Sequence, residues 1–317
     1  MAVISVVMCT VGKARSAADC VASVLAQTLA DGMSLEIVVV DNSASGIAQH
    51  WVEAAAAAGD PVRYVHEPRP GISHARNAGV AEAKGEFLAF IDDDEVAEPD
   101  WLSNLFRALE AHSADIATGP VVPVFEGMDR LGFDPAPFFF GEREAMETGA
   151  TLEAARTGNV LFRVGRCLSE PEPFNPKLGR SGGEDTDLTY RLHLKGRKII
   201  WVADAVVHEY WPQEKASLPA FLRRKCVTAR NTTFVRISHA ARPGKVVLRT
   251  VAKALLQLAI FLPLSLVLYP VNRQRFAAAG LHVMSAVGKL TFWMRARYYG
   301  DAPEVAEPRA AEPEAAE

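Results

Sequence analysis

The stretch GEFLAFIDDDE, residues 85–95, decides how this chain is read. Phe87, Leu88, Ala89, Phe90 and Ile91 form a short continuous apolar run, bounded by Gly85 on one side and by acids on the other. A run of that length without polar alternation describes a strand covered on both faces, as in a parallel sheet. It ends in four carboxylates, Asp92, Asp93, Asp94 and Glu95, before Pro99-Asp100-Trp101-Leu102 opens a helix. Ligands of open α/β sheets sit beyond the carboxyl ends of the strands. Like charges crowded at such a point repel unless a cation neutralises them. Oxygen-only ligands suit magnesium or manganese, which take one or two protein carboxylates and complete the shell with water and phosphate oxygens. Two readings stand: a metal–diphosphate site, or a solvated turn whose acids favour the next helix N-terminus.

Upstream, residues 3–10 (VISVVMCT), 35–40 (LEIVVV) and 62–65 read as strands, separated by helical patterns and followed by a helix over about 73–83. This alternation implies right-handed crossovers and a doubly wound, mostly parallel α/β sheet. Downstream, 116–124 continues the sheet, and 159–163 and 198–202 supply further strands. Between the last two lies GRSGGEDTDLTYRLHL, 179–194, a glycine loop leading into a helix. Residues 125–157, with Pro135, Pro137 and the run Phe138-Phe139-Phe140, form either a lid or acceptor-binding insertion or a loop packed on the core by its aromatics.

A chain of 317 residues can bury one large domain or two smaller ones. Cys9, Cys20, Cys167 and Cys226 show no close pairing, which fits a reduced, cytosolic compartment. The apolar N-terminus lacks a basic flank and a cleavage site, so it reads as a strand and not as a signal peptide.

The net charge of −4 conceals an asymmetry. Residues 1–222 carry 19 Lys+Arg against 32 Asp+Glu, whereas 223–297 carry 14 basic residues and no acid. Basic residues interleaved with long apolar runs point to an anionic membrane surface. Nucleic acid is not expected as a partner, because the basic stretch is too apolar for a solvated groove. Residues 254–271 hold no charge, and Arg249, Lys253 and Gln257 form a polar stripe at i, i+4 spacing upstream. Pro263 would kink this helix, and a second apolar stretch, 277–294, is interrupted by His282 and Lys289. A helical hairpin lying in or dipping into the membrane interface accounts for the pattern; helices packed on the soluble domain are the alternative. Residues 301–317, rich in Pro, Ala and Glu, are expected to be disordered.

Three acidic points follow strand ends or open helices: Asp41, the Asp92–Glu95 group, and Glu184-Asp185. A metal-bound phosphate leaving group and a separate carboxylate base are the minimum for transfer from a nucleotide-activated donor. Glu184 and Asp185 also suit a helix N-terminus without any catalytic role.

Taken in order and spacing, VISVVMCT, EIVVVDNS, GISHARNAG, GEFLAFIDDDE and SGGEDTDL resemble the family 2 glycosyltransferases of GT-A fold over residues 1–240. SGGEDTD and WVADAVVHEYWPQEKASL look most like bacterial exopolysaccharide transferases of the succinoglycan type. The resemblance implies transfer of a hexose, glucose for that type, from a UDP-sugar to a lipid-linked oligosaccharide, with inversion, at the cytoplasmic face of the inner membrane. It implies a divalent cation, manganese or magnesium. It places Thr10, Asp41, Arg76, Asp92, Asp93 and Glu184 at the nucleotide and donor, with Asp41 toward the uracil. Asp94 becomes the metal ligand, His208 approaches the metal or diphosphate or is a hydrogen-bonded strand-end histidine, and Asp185 becomes the catalytic base. Asp185 and Asp187 point about 200° apart on a helix, so only one can face the sugar. Three consecutive aspartates stand where the family has DxD, which leaves the division of roles among them open. The QxxRW signature of processive synthases is absent; after Phe221 the chain reads LRRKCVTARN, and addition of a single sugar is expected. The implied division is a glycosyltransferase domain over 1–243, a membrane-associated segment over 244–300 and a tail over 301–317.

Two rivals come from other classes. The apolar run before Asp92 also fits the motif of haloacid-dehalogenase-like phosphatases, with Asp92 as nucleophile and Asp94 as general acid/base. A membrane-tethered sugar-nucleotide-binding protein without turnover is the other.

Overall fold

The computed structural model describes residues 2–12, 14–30, 32–126, 131–135 and 146–294. The run 138–140 and the tail 301–317 lie outside the described residues.

Strand β1 (Ala2–Thr10) sits inside the sheet, parallel to β2 (Met33–Asp41) on one side and to β4 (Phe87–Asp92) on the other. Strand β3 (Val62–His66) adds outside β2. The register pairs Thr10 with Asp41 and Cys9 with Asp92, so three strand ends deliver polar groups to one edge. Helices α1 (Ala14–Leu25), α2 (Gln49–Ala57) and α3 (Ile72–Glu82) follow the first three strands. Alternate residues of the strands feed two cores. Ile4, Val6, Met8, Ile37 and Val39 pack with Trp101, Leu102 and Leu105 of α4 (Trp101–Ala111) on one face. Val7, Val38, Val40, Leu88 and Phe90 pack with Phe162 and Phe174 on the other. Continuous apolar strands are what such two-sided burial requires. At Gly79 of α3 a Cβ would stand 2.3 Å from Val7 Cγ1, so that crossover needs glycine.

The second half departs from a plain parallel sheet. Strand β9 (Asn159–Arg163) runs antiparallel between β4 and β6 (Ile116–Thr118). Strand β10 (Ile199–Trp201) is parallel to β6, and β8 (Thr151–Leu152) closes the eight-stranded sheet antiparallel to β10. The segment 116–124, expected as one strand, is two. Gly119 lies against Ala205, whose carbonyl oxygen would be 2.1 Å from an added Cβ, and the chain turns there. Beyond it β7 (Val121–Phe125) joins β5 (Glu95–Ala97) and β11 (Val207–Trp211) in a separate three-stranded sheet. A short α5 (Val164–Cys167) follows β9, and α6 (Glu184–Leu194) follows the glycine loop.

Three long helices end the described chain: α7 (Leu218–Ser238), α8 (Pro243–Leu268) and α9 (Arg273–Leu290). Helix α9 lies close on α7; a Cβ at Gly288 would be 2.2 Å from the Cys226 carbonyl oxygen. Leu281 of α9 is buried in one cluster with Leu131, Ala216 and Phe221. The polar stripe of α8 faces α9, where Gln257 accepts from Lys289 Nζ at 2.8 Å and lies 3.3 Å from His282 Nδ1. The rest of α8 is bare: Leu248, Leu256, Leu266 and Val267 are exposed, and the apolar window of the helix, mean hydropathy 2.1, is only 11% buried. Among the described residues it is the one helix long and apolar enough to cross a membrane.

Candidate active site

The start of α3 is built against the glycine loop, which explains the residue types of GISHARNAG. Gly71, at φ 128°, meets the Gly179 backbone, and Ile72 N donates to Gly179 O at 3.1 Å. Ser73 Oγ donates to Asn175 O at 2.9 Å, and Asn77 exchanges two hydrogen bonds with the Phe174 backbone. Arg76 is thereby carried between the sheet edge and α6. Its Nη1 donates to Glu184 and its Nη2 reaches Asp92 Oδ1 at 3.3 Å. Burial opposes the charge on Arg76, but Glu184 and Asp92 hold it above the ordinary arginine range.

The other end of this bridge is the entry to α6. Gly182 (φ 78°) and Gly183 (φ 92°) are consecutive left-handed residues, a conformation only glycine adopts cheaply. Glu184 and Asp185 then open the helix. Glu184 is 2% exposed, and its Oε2 has no hydrogen-bond partner among the described residues. Burial, with Arg76 pulling the other way and Asp185 adding repulsion, pushes its carboxyl up to about 7. Asp185 is half-buried, and its Oδ1 accepts from Thr186 Oγ1 at 3.2 Å. Asp187 points away: it is buried and pairs with Arg191 at 3.0 Å and His239 at 2.7 Å.

The three aspartates separate by environment. Asp93 is buried and accepts from Thr10 Oγ1 at 2.7 Å. Asp92 and Asp94 are only partly covered, and the Asp92 side chain keeps 45% of its surface open. Desolvation, and then the charges of Asp94, Asp93 and Glu209, push the Asp92 carboxyl up to about 6, against the pull of Arg76. Glu95, fully enclosed, is raised well above the carboxylate range by burial, Asp92 and Glu209. Gly158 leaves the room this cluster needs, since a Cβ there would lie 2.5 Å from Glu95 Oε1 and 3.2 Å from Asp92 Oδ2.

Asp41 and His208 have their own partners. Asp41 is fully buried, and its oxygens accept from Ser43 N at 2.9 Å and Ala48 N at 2.6 Å, so the carboxylate shapes the loop after β2. His208 Nε2 lies 3.1 Å from Glu98 Oε1. In the ladder His208 faces Val96 whereas Glu209 faces Glu95, so alternation turns Glu209 toward Asp92 and Glu95. Arg224 of α7 holds Glu209 at 3.0 Å. Sequence reasoning missed Glu209 because it weighed the histidine beside it; the strand period was the available signal.

These carboxylates supply oxygen donors only, the set a hard divalent cation takes. Among the described residues no group of three or more His, Cys, Asp or Glu is arranged to hold a metal by itself. One or two ligands from this edge, completed by a diphosphate and water, is the coordination that fits.

The architecture is the GT-A fold, which solved glycosyltransferases share. TarS 1–349 of S. aureus in complex with UDP covers 95% of this chain and 94% of its own, with a TM-score of 0.53 at 16% identity. GalNAc-T7 with UDP, GalNAc and Mn2+ covers 74% and 48%, with a TM-score of 0.54 at 17% identity. The chain belongs to the family described as glycosyl transferase family 2, whose pattern matches residues 5–168. It is 32% identical over 213 residues to the succinoglycan biosynthesis protein ExoM of Rhizobium meliloti, covering 66% of this chain and 67% of that relative.

Proposed function

We propose that this glycosyltransferase moves a hexose, glucose as the first candidate, from a UDP-sugar to a lipid-linked oligosaccharide in the making of an exopolysaccharide or other surface glycan. One observation carries the site: Arg76 joins Asp92 at the sheet edge to Glu184 at the entry of α6, so a donor at the edge meets the α6 carboxylates. The names of the similar proteins support the chemistry: UDP for the TarS complex, UDP and Mn2+ for GalNAc-T7, succinoglycan synthesis for ExoM.

In this reading Asp92 and Asp93 face the ribose side of the donor, with Thr10 holding Asp93 in place, and Asp41 orders the loop that borders the uracil. Asp94 and His208 are the residues that would hold a manganese or magnesium ion, which would supply charge neutralisation at the departing diphosphate. Asp185 takes the proton of the acceptor hydroxyl as that oxygen attacks the anomeric carbon, which inverts the centre. Arg76 keeps Glu184 and Asp92 in register and offsets their charge. The exposed apolar face of α8 attaches the protein to the cytoplasmic face of the inner membrane. The division at 243 assigns the sugar chemistry to the first part and attachment to the helices after it.

The phosphatase reading needs Asp92 free to attack phosphorus, yet Asp92 is paired with Arg76 in a chain of the glycosyltransferase family. The test is incubation of the full chain with UDP-glucose and membrane extract, with and without manganese, while UDP release and lipid glycosylation are followed. Metal-dependent UDP release coupled to labelled lipid is expected. UDP binding without release, with acceptor present across a panel of donors, would leave a binding protein; release of inorganic phosphate would restore the phosphatase.

A further inference from the structure

An open recess of about 350 Å³ lies away from the carboxylate edge, among α7, α8 and α9. Each helix contributes a lysine: Lys225 from α7, Lys253 from α8 and Lys289 from α9, with Arg236 of α7 beside them. Thr233 and Ser285, both buried, add hydroxyls to the wall. Residues 218–290 contain no acid at all. Glu153 reaches Arg236 at 2.6 Å, and Lys289 bonds the neutral Gln257 amide. Partial burial, and then Arg156, hold the Lys225 ammonium below the ordinary lysine range. Lys289 is held down likewise, by burial and then by Lys225 and Lys253.

Lys225 and Lys253 are exposed and Lys289 half-buried, and the three cations gathered at this open recess repel one another. A ligand with two or more negative charges and several acceptor oxygens removes that cost through charge-assisted hydrogen bonds. A diphosphate joining a lipid to its sugar carries two negative charges and offers several acceptor oxygens to the ammonium groups and to the Thr233 and Ser285 hydroxyls. Beyond Lys253 on the same helix, Leu255, Leu256 and Ile260 are exposed. An anion bound beside such exposed apolar residues is best carried by a lipid. The same stretch of α7 faces the glycine loop, since Asn231 Nδ2 donates to Ser181 O at 3.0 Å. A headgroup held here stands one helix away from Asp185.

We propose that the recess among α7, α8 and α9 binds the diphosphate of the lipid that carries the sugar acceptor, with Lys225, Lys253 and Lys289 as its cationic ligands. This rests on the lipid-linked acceptor of the proposed function. The alternative source of the same chemistry is the headgroup of a bulk anionic phospholipid.

The test uses the full-length protein and phosphatidylcholine vesicles doped either with an isoprenyl diphosphate or with phosphatidylglycerol at matched charge. Wild type is expected to bind the isoprenyl diphosphate vesicles more tightly. Lys225→Gln/Lys289→Gln is expected to lower that binding about tenfold or more, the scale of one lost charge-assisted bond. Lys253→Gln/Lys289→Gln should behave alike. Both variants should melt at or above wild type, because they relieve repulsion, and should titrate UDP unchanged. Equal wild-type binding to the two charged vesicles, or variants that bind as wild type does, overturns the assignment. Loss of UDP binding or of UDP release by wild type would instead sink the transferase reading, which the vesicle measurement does not touch.

Discussion

Thr10 Oγ1 donates to Asp93 Oδ2 at 2.7 Å, a bond from the end of β1 to the middle of the acidic run. Gly12 N donates to the same hydroxyl at 3.2 Å. Asp93 is thus held inward while Asp92 and Asp94 stay partly open, a sorting the three identical letters do not carry. Thr10→Val keeps the shape and removes the donor, leaving a buried carboxylate short of one bond. A stability loss of about 1–3 kcal/mol in urea unfolding is expected, together with weaker UDP binding by calorimetry. Unchanged values for both would mean that Asp93 does not depend on Thr10.

Arg76 offers a sharper case. Arg76→Gln leaves the Glu184 carboxylate enclosed without its cation, and breaking a buried pair from one side costs about 3–5 kcal/mol. The double variant Arg76→Gln/Glu184→Gln removes both charges and should recover much of that loss. Denaturant midpoints of the two single variants and the double give the coupling; simple additivity would show that the bridge has no energetic content.

Stability should fall as pH rises. The Glu184 carboxyl is raised from 4.5 to about 7 and that of Asp92 from 3.8 to about 6. A carboxyl raised in the folded state binds its proton more tightly there, so its contribution is complete below the unfolded value and is lost as pH passes the folded one. Melting temperature is therefore expected to decline between 4.5 and about 7. Glu184→Gln, a mimic of the protonated form, should flatten the decline; an unchanged slope would remove Glu184 as its source.

Asp185→Asn should cost turnover by ~10²–10⁴-fold, the usual worth of a general base, with UDP binding nearly unchanged. Asp187→Asn should be far milder in single-turnover transfer, yet lower the melting temperature, because Asp187 is buried against Arg191 and His239. Wild-type transfer by Asp185→Asn would move the base elsewhere.

The half of the sheet that precedes Trp101 was legible because each strand is a continuous apolar run and each crossover a helix of ordinary length. The direction of β9 was not, since NVLFR looks the same whichever way a buried strand runs. Nor was the break at Gly119, which is imposed by the Ala205 carbonyl from a distant part of the chain. In the site, the acidic run and the Gly-Gly entry to α6 announced themselves by composition. The roles inside them depend on partners far away in sequence: Thr10 for Asp93, Arg76 for Glu184, and the register of β11 for Glu209. The apolar C-terminal helices were visible as such, but that α9 docks on α7 follows from Gly288 meeting Cys226, which no period reveals.

That contact has a further consequence. Gly288 locks α9 to α7, Asn231 ties α7 to the loop before α6, and His239 grips Asp187 two residues beyond Asp185. With α8 laid on a bilayer, the height of Asp185 above the lipid becomes a fixed length of the molecule. Under the proposed attachment and base, an acceptor would be selected by how far its terminal sugar stands from the lipid, whatever its chemical identity.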